Sequence, residues 1–161
     1  MLKELSAPLA EQLTDYQAWR RQAKGDFDLI DYTGSVMTPD IYFATEELIC
    51  PTLIVHDEIY FLKSHFDPAI YAQWKKKLSD TIEIQRIMNH LHICTLFQQA
   101  EMSDELAVEL ASRIAGLWSM FFLPLGLIGE SLGTNFEDAS ITLVTKAGER
   151  KEQSRLPGTR V

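Results

Sequence analysis

The chain has 161 residues, of which 46% are hydrophobic and 24% charged, a composition typical of one soluble globular domain and far from that of a disordered chain. Its formal net charge of −8 disfavours nucleic-acid binding by the acidic body, because phosphate backbones are repelled. The first residues mix charged with apolar side chains, so we expect no export signal and a cytoplasmic protein. The two cysteines, Cys50 and Cys94, have no CxxC partner and are predicted to be free thiols.

The charge is unevenly distributed along the chain. Residues 146–161 carry five basic side chains against two acidic ones, a local charge of +3 that leaves −11 for the first 145 residues. We therefore expect a single globular domain over residues 1–145 and a basic polar tail over residues 146–161. The tail is predicted to bind an acidic surface of a protein partner or of a second copy through its cations, Lys146, Arg150, Lys151, Arg155 and Arg160.

In the first fifty residues, the spacing of apolar side chains predicts two helices. One covers roughly residues 6–23 and is stopped by Gly25. The other begins with Thr38 before Pro39 and is limited by Pro51. Between them the stretch "DFDLIDYTGS" alternates acidic and apolar residues, which favours a short strand or an irregular acidic loop.

The middle of the chain contains an ambiguous segment and a clear helix. The stretch "TLIVHDEIYFL" favours two strands that turn at Asp57 and Glu58, although the turn lacks the usual Gly or Asn. The helix is "DPAIYAQWKKKL", with Asp67 as its cap and Pro68 at its first position. The lysines at 75–77 complement the helix dipole at its C-terminal end and are expected to form a solvated face.

The last predicted elements are a long helix over residues 81–99, a further helix capped by Ser103, and one late strand in "ASITLVTK". The uncharged stretch 114–128 is too short for a membrane span and is expected to form a buried helix end and a core-lining turn. The alternative for this stretch is an exposed apolar patch that meets a partner. The predicted fold is an α-rich single domain with a helical-bundle-like core and a small β component, all-α or α+β.

The stretch "MNHLHICTLF" raises the question of a metal site. On a helix, His90 and His92 point about 200° apart, so the helical interpretation predicts that they do not chelate one ion. His90 and Cys94 would instead share a flank, where they could provide two ligands of a zinc site or a thiolate and base dyad. The alternative interpretation is that Cys94 fills the core and His90 bonds to neighbouring side chains or water.

A second group of candidate residues is "VHDEI", where His56, Asp57 and Glu58 have the chemistry of a metal or acid/base site. Adjacent side chains diverge in regular structure, so these three residues cannot all converge on one site. Contacts such as His56 with Asp67 or Glu58 with His65 would form only if the fold brings these segments of the chain together. The alternative is a charged turn followed by a helix cap.

The sequence contains no P-loop, dinucleotide-binding glycine fingerprint, GxSxG, HExxH or EF-hand loop. We therefore predict a protein that acts by binding another protein, as an adaptor, an inhibitor or immunity protein, or a subunit of a larger assembly, with no cofactor. The alternative is a small hydrolase or metal-binding enzyme that uses His56, Asp57, Glu58, His65, His90 and Cys94.

Overall fold

A computed structural model describes residues 13–98 and 102–146. Helices account for 56% and strands for 18% of these residues, so the fold is of the α+β class. The strands form two small antiparallel sheets, and a helical-bundle core is not confirmed. The chain divides into two compact units, Met1–Glu46 and Glu47–Val161.

The described part of the first unit is helical. Its second helix replaces the predicted strand or acidic loop, and that prediction is wrong because Asp28 forms a capping box with Asp31. The Asp28 carboxylate accepts the backbone N–H of Asp31 at 3.0 Å, and the Asp31 carboxylate accepts that of Asp28 at 3.0 Å. The three helices are α1 (Thr14–Ala23), α2 (Leu29–Val36) and α3 (Pro39–Ile49), the last of which crosses into the second unit.

Aromatic rings hold α1 against α2. Trp19 lies 5.4 Å from Tyr32 and 5.7 Å from Phe27 between ring centroids, and Tyr16 lies 5.7 Å from Tyr32. Tyr16 is the one buried residue among residues 13–46. This part of the chain therefore has little core of its own.

The second unit begins with the predicted hairpin, formed by β1 (Leu53–His56) and β2 (Ile59–Leu62). His56 pairs with Ile59, so that the loop has two residues, and both have positive φ, 49° for Asp57 and 63° for Glu58. These values are those of a type I′ turn, whose twist matches that of the strands. The predicted turn is confirmed.

Helices α4 (Pro68–Lys77) and α5 (Thr81–Met88) follow. Asp67 caps α4 by accepting the backbone N–H of Ala69 at 2.7 Å, and Asp80 caps α5 by accepting that of Ile82 at 2.9 Å. The predicted cap at Asp67 is confirmed.

The predicted long helix over residues 81–99 is wrong. The chain leaves α5 at Asn89 and continues as β3 (His90–His92) and the short α6 (Ile93–Leu96). Two tertiary interactions override the helical periodicity. Strand β3 pairs with a strand more than forty residues later, and the Asn89 side chain bonds to that same strand and to β2.

The remaining elements are α7 (Asp104–Phe122), a 3-10 turn (Leu123–Leu125), β4 (Leu127–Leu132) and β5 (Ser140–Thr145). Helix α7 packs on a three-stranded sheet with the strand order β3-β5-β4. Ser103 caps α7 as predicted, and the predicted late strand is confirmed as the central strand β5, whereas β4 was not predicted.

The uncharged stretch 114–128 is only half buried. Ile114, Trp118 and Phe122 point into the core, as predicted for a buried helix end. The expectation of a core-lining turn is wrong, because the turn at Leu123–Leu125 has no buried residue. A helix presents one face to a core, so its other side chains at this end, Met120 among them, are exposed.

Close packing of α7 on β4 depends on a glycine. The Ser119 hydroxyl accepts the backbone N–H of Gly129 at 2.9 Å and donates to its carbonyl at 3.3 Å. A Cβ added at Gly129 would lie 2.8 Å from the Cα of Ala115, inside van der Waals contact. Only glycine therefore permits this approach of strand and helix.

Strand β2 joins the two hydrophobic clusters of the second unit. Ile59 and Phe61 pack with Tyr71, whereas Leu62 belongs to the cluster around Trp118. Alternate residues of a strand point to opposite faces, so one strand contributes to both clusters.

Two buried side-chain amides, Gln85 of α5 and Asn89 directly after it, complete the hydrogen bonding between the two sheets. Asn89 accepts the backbone N–H of Leu62 at 2.9 Å and donates to the carbonyls of Tyr60 and Leu143 at 3.1 and 2.9 Å. Gln85 also donates to the Tyr60 carbonyl, at 2.9 Å, and accepts the Thr145 backbone N–H at 2.7 Å. Strand β3 pairs with β5 only as far as Thr142, and the two side chains bond to backbone groups of β5 beyond that residue.

By length and composition alone, one helix in the described residues, Asp104–Leu125, could cross a membrane. Seven of the 19 residues of α7 are buried in the fold.

Candidate functional site

Two histidines meet on β3. His90 and His92 are two residues apart on a strand and therefore share a face. Their Nε2 atoms are 3.2 Å apart, and the rings are nearly perpendicular, with centroids separated by 4.6 Å. The prediction that they point in different directions rested on a helix and is wrong, because the segment is a paired strand.

The other ring nitrogens have different surroundings. His90 Nδ1 lies 3.0 Å from the hydroxyl of Thr142, its buried partner across the strand pair. His92 Nδ1 is buried and has no hydrogen-bond partner within the described residues. We infer from this pattern that His92 Nδ1 carries no proton, that His92 donates from Nε2 to His90, and that His90 donates from Nδ1 to Thr142.

The histidine pair opens into a cleft of about 390 Å³. Its walls include the apolar side chains of Ile70, Trp74 and Ile87, and His65 from the loop before α4 lines it as a third histidine. The enzyme alternative named His65 together with His90, and both line this cleft, but it did not include His92, because that residue was expected on the opposite side of a helix.

Cys94 is not part of the histidine pair. Its Sγ lies 3.9 Å from the Glu137 carbonyl, whereas the described contacts of His90 are with Thr142 and His92. The premise that His90 and Cys94 share a helix flank is wrong because α5 ends before His90. Cys94 is partly exposed rather than buried in the core, and both it and Cys50 are free thiols.

The second candidate group, His56, Asp57 and Glu58, lies at the hairpin turn, and two of its side chains contact α4. The Asp57 carboxylate accepts hydrogen bonds from the Lys75 ammonium and, at 3.1 Å, from the Tyr71 hydroxyl. The bond from Lys75 and, to a smaller extent, the bond from Tyr71 hold the pKa of Asp57 below its ordinary value. The bond to Asp57 raises the pKa of Lys75. The His56 ring packs edge-on against Tyr71 at 4.9 Å, while Glu58 is exposed in the turn. The arrangement is that of a charged turn followed by a helix cap at Asp67.

Within residues 13–98 and 102–146, no group of three or more His, Cys, Asp or Glu side chains is arranged to hold a metal ion. Of the basic tail, only Lys146 is described, and its backbone N–H bonds to the Gly126 carbonyl at 2.8 Å. The other predicted partner-binding residues, Arg150, Lys151, Arg155 and Arg160, lie outside the described residues.

A set of exposed apolar side chains that was not predicted from the sequence lies on and beside α2 and α3. Neither helix contains a buried residue, and the exposed fraction reaches 80% at Ile30 and 65% at Phe43. A sequence signal does exist, since Ile41, Tyr42 and Phe43 are consecutive and cannot all face one core. The α2–α3 apolar residues are Phe27, Leu29, Ile30, Val36, Met37, Ile41, Tyr42 and Phe43.

Comparisons of the chain with models of known protein families, with curated proteins and with solved structures give no match. The function of the chain is therefore inferred from the geometry of its own residues.

The histidine pair predicts a pH dependence of stability. Burial, with a smaller contribution from His92, lowers the pKa of His90 below its ordinary 6.5. The unfolded chain therefore takes up a proton at this residue at a higher pH than the folded chain does. We expect the contribution of His90 to the free energy of unfolding to be fully present above pH 6.5. This contribution should be lost as the pH falls from 6.5 through the lower pKa that His90 has in the folded chain. Urea unfolding at about pH 7.5 and 5.5 measures the difference.

The control is His90→Gln, which keeps a polar group near Thr142 but does not titrate in this range. Its free energy of unfolding should change less between the two pH values than that of the wild type. An equal change in both proteins would show that His90 does not carry the effect.

Proposed function

We propose that this chain acts in the cytoplasm by binding another protein, and that the α2–α3 apolar residues make the contact. The supporting observation is that α2 and α3 contain no fully buried residue and that six of their large apolar side chains are exposed, namely Leu29, Ile30, Val36, Ile41, Tyr42 and Phe43. Exposed apolar side chains concentrated in one segment are characteristic of interaction sites. An adaptor, an inhibitor or immunity protein, and an assembly subunit would all use such a surface.

The lengths of the helices support the same proposal. Helices α2 and α3 have 8 and 11 residues, and isolated helices shorter than about 12 residues are marginal in water. Most helices gain their stability by packing an apolar face against other groups. A partner that covers Ile30 and Phe43 would supply that packing.

Charge defines the chemistry of the partner. Residues 26–47 contain six acidic side chains and no Lys or Arg. An anionic membrane surface would be repelled by this segment, since such surfaces attract polybasic segments. The complementary partner is a protein whose apolar groove is bordered by basic groups.

The basic tail is proposed to act as a second contact that recognises an acidic surface. Its five cations at residues 146–161 would steer association, a contribution that salt weakens because exposed charges are screened beyond about 8 Å at physiological ionic strength. If the partner is a second copy, the tail of one chain and the acidic segment of the other are complementary in charge.

The proposal predicts that polar substitution of the α2–α3 apolar residues removes the partner but leaves the fold intact. We expect the double variant Ile30→Gln, Phe43→Gln to retain the wild-type melting temperature, because both side chains are exposed in the free protein. Its partner should be depleted at least about tenfold in affinity purification from the native cell, an effect of about 1.4 kcal/mol. The complex rebuilt from the two purified proteins gives the dissociation constant.

The matched control is Val55→Gln, which changes a 60% exposed side chain on the hairpin. It should bind the partner as the wild type does. A truncation after Thr145 tests the tail and should weaken association in a manner that depends on the salt concentration. Light scattering measures the mass of the particle in solution and would identify a second copy as the partner. Equal binding by wild type and double variant would contradict the proposed surface, as would recovery of vesicles in place of a protein.

A further inference from the structure

The structure points to a second, independent site, and we propose that His90 and His92 chelate a divalent transition-metal ion of the class that prefers imidazole, such as Ni²⁺, Cu²⁺ or Zn²⁺. The site is distinct from the α2–α3 apolar residues and does not depend on the partner proposed above.

The separation of the two nitrogens supports the proposal. Two metal bonds of about 2.0 to 2.1 Å place their nitrogens about 3.3 Å apart at a tetrahedral angle and about 2.9 Å apart at a right angle. The observed Nε2 to Nε2 distance is 3.2 Å. The pair therefore already has the spacing of a two-histidine chelate without a change of backbone.

The surroundings of His90 also fit a metal ligand. A ligating histidine usually donates its other ring N–H to an oxygen acceptor, which fixes its tautomer and orientation. Thr142 provides that acceptor 3.0 Å from His90 Nδ1, and it is itself buried in the central strand.

The pair faces a cleft of about 390 Å³, which leaves room for water or another ligand to complete the coordination. A two-ligand site of this kind is open, unlike a structural zinc site with four protein ligands.

Chelation requires one proton to move within the pair. Both Nε2 atoms must be free of protons, so the proton of His92 moves from Nε2 to Nδ1, and none is released overall. His92 Nδ1 then carries a buried N–H without an acceptor in the described residues. Because of this cost, the metal affinity should be lower than that of a site in which both imidazoles donate to an acceptor. The hydrogen bond from His90 to Thr142 should therefore contribute to the metal affinity.

The experiment is calorimetric titration of the tag-free chain with Ni²⁺, a metal that suits imidazole better than thiolate. We expect one ion per chain, with affinity lowered more than about tenfold in His90→Ala and in His92→Ala, since loss of an outer-shell partner alone costs roughly 10- to 100-fold. Thr142→Val should weaken binding by about tenfold while it keeps the side-chain volume. His65→Ala, a change in the same cleft, is the matched control and should bind as the wild type does.

A second measurement requires no variant. In the NMR spectrum of the wild-type chain, the ring signals of His90 and His92 should be the first to broaden as paramagnetic Ni²⁺ is added. The proposal is overturned if the chain binds no Ni²⁺, if binding survives in both alanine variants, or if signals elsewhere broaden first. It is also overturned if His65→Ala abolishes binding, because the site would then not be the two-histidine chelate.

Discussion

Replacement of Asn89 by alanine is expected to lower the free energy of unfolding by about 3 to 5 kcal/mol, since each buried polar group left without a partner costs roughly 1 to 3 kcal/mol. Asn89 is fully buried, and its amide bonds to the Leu62 N–H and to the carbonyls of Tyr60 and Leu143. Tyr60 keeps its bond from Gln85, but Leu62 and Leu143 lose their partner. Urea unfolding measures the loss.

Two further variants make this test specific. Asn89→Asp should be at least as destabilising, because it places carboxylate oxygens opposite two carbonyl oxygens. Gln73→Ala, an exposed substitution on α4, should change the stability by less than about 0.5 kcal/mol. A loss below about 1 kcal/mol in Asn89→Ala would contradict the bridging role.

Replacement of Gly129 by valine is expected to destabilise the protein by about 3 kcal/mol, at the upper end of the usual cost of overpacking. Any Cβ at this position meets the backbone of Ala115, which cannot rotate away as a side chain could. Movement of β4 away from α7 would also break the hydrogen bonds between Gly129 and Ser119. Thermal and urea unfolding measure the effect.

Gly116→Ala is the matched glycine control. It lies in the interior of α7, and an added Cβ there meets no atom within 4 Å. The control should stabilise the protein by about 0.5 to 1 kcal/mol through helix propensity. If both substitutions had the same small effect, the close approach at Gly129 would not be a determinant of stability.

The elements that sequence predicted well are those specified by neighbouring residues. The cap and first position of α4, Asp67 and Pro68, act within one turn, as does Ser103 at the start of α7. Helix α2 was missed because its capping box has Asp31 where Glu or Gln is usual, and because the alternation of acidic and apolar residues resembles a strand.

Distant contacts decide what neighbouring residues do not specify. The turn at Asp57 and Glu58 was predicted although it lacks Gly or Asn, and hydrogen bonds from Tyr71 and Lys75 of α4 to the Asp57 carboxylate stabilise its residues at positive φ. Similarly, the apolar periodicity of α5 continues past Met88, but pairing of β3 with β5 ends the helix. The histidine pair follows from that pairing, so a helical interpretation of His90 necessarily missed it.

The first unit shows a different limit of sequence reasoning. Its aromatic cluster buries only Tyr16 within the described residues, so a composition suited to a core does not produce one here. The apolar side chains of α2 and α3 are exposed in the chain alone, and a protein partner that covers them would account for their presence.

The most direct measurement of the proposed function is site-specific photo-crosslinking in the native cell. A photoreactive side chain is placed at Ile30 or at Phe43, with Val55 as the control position. We expect the first two positions to give an adduct with the same protein, whose contact surface is apolar and bordered by basic residues, and the control position to give none. Adducts with lipid alone, no adduct from either position, or the same products from all three positions would contradict the account.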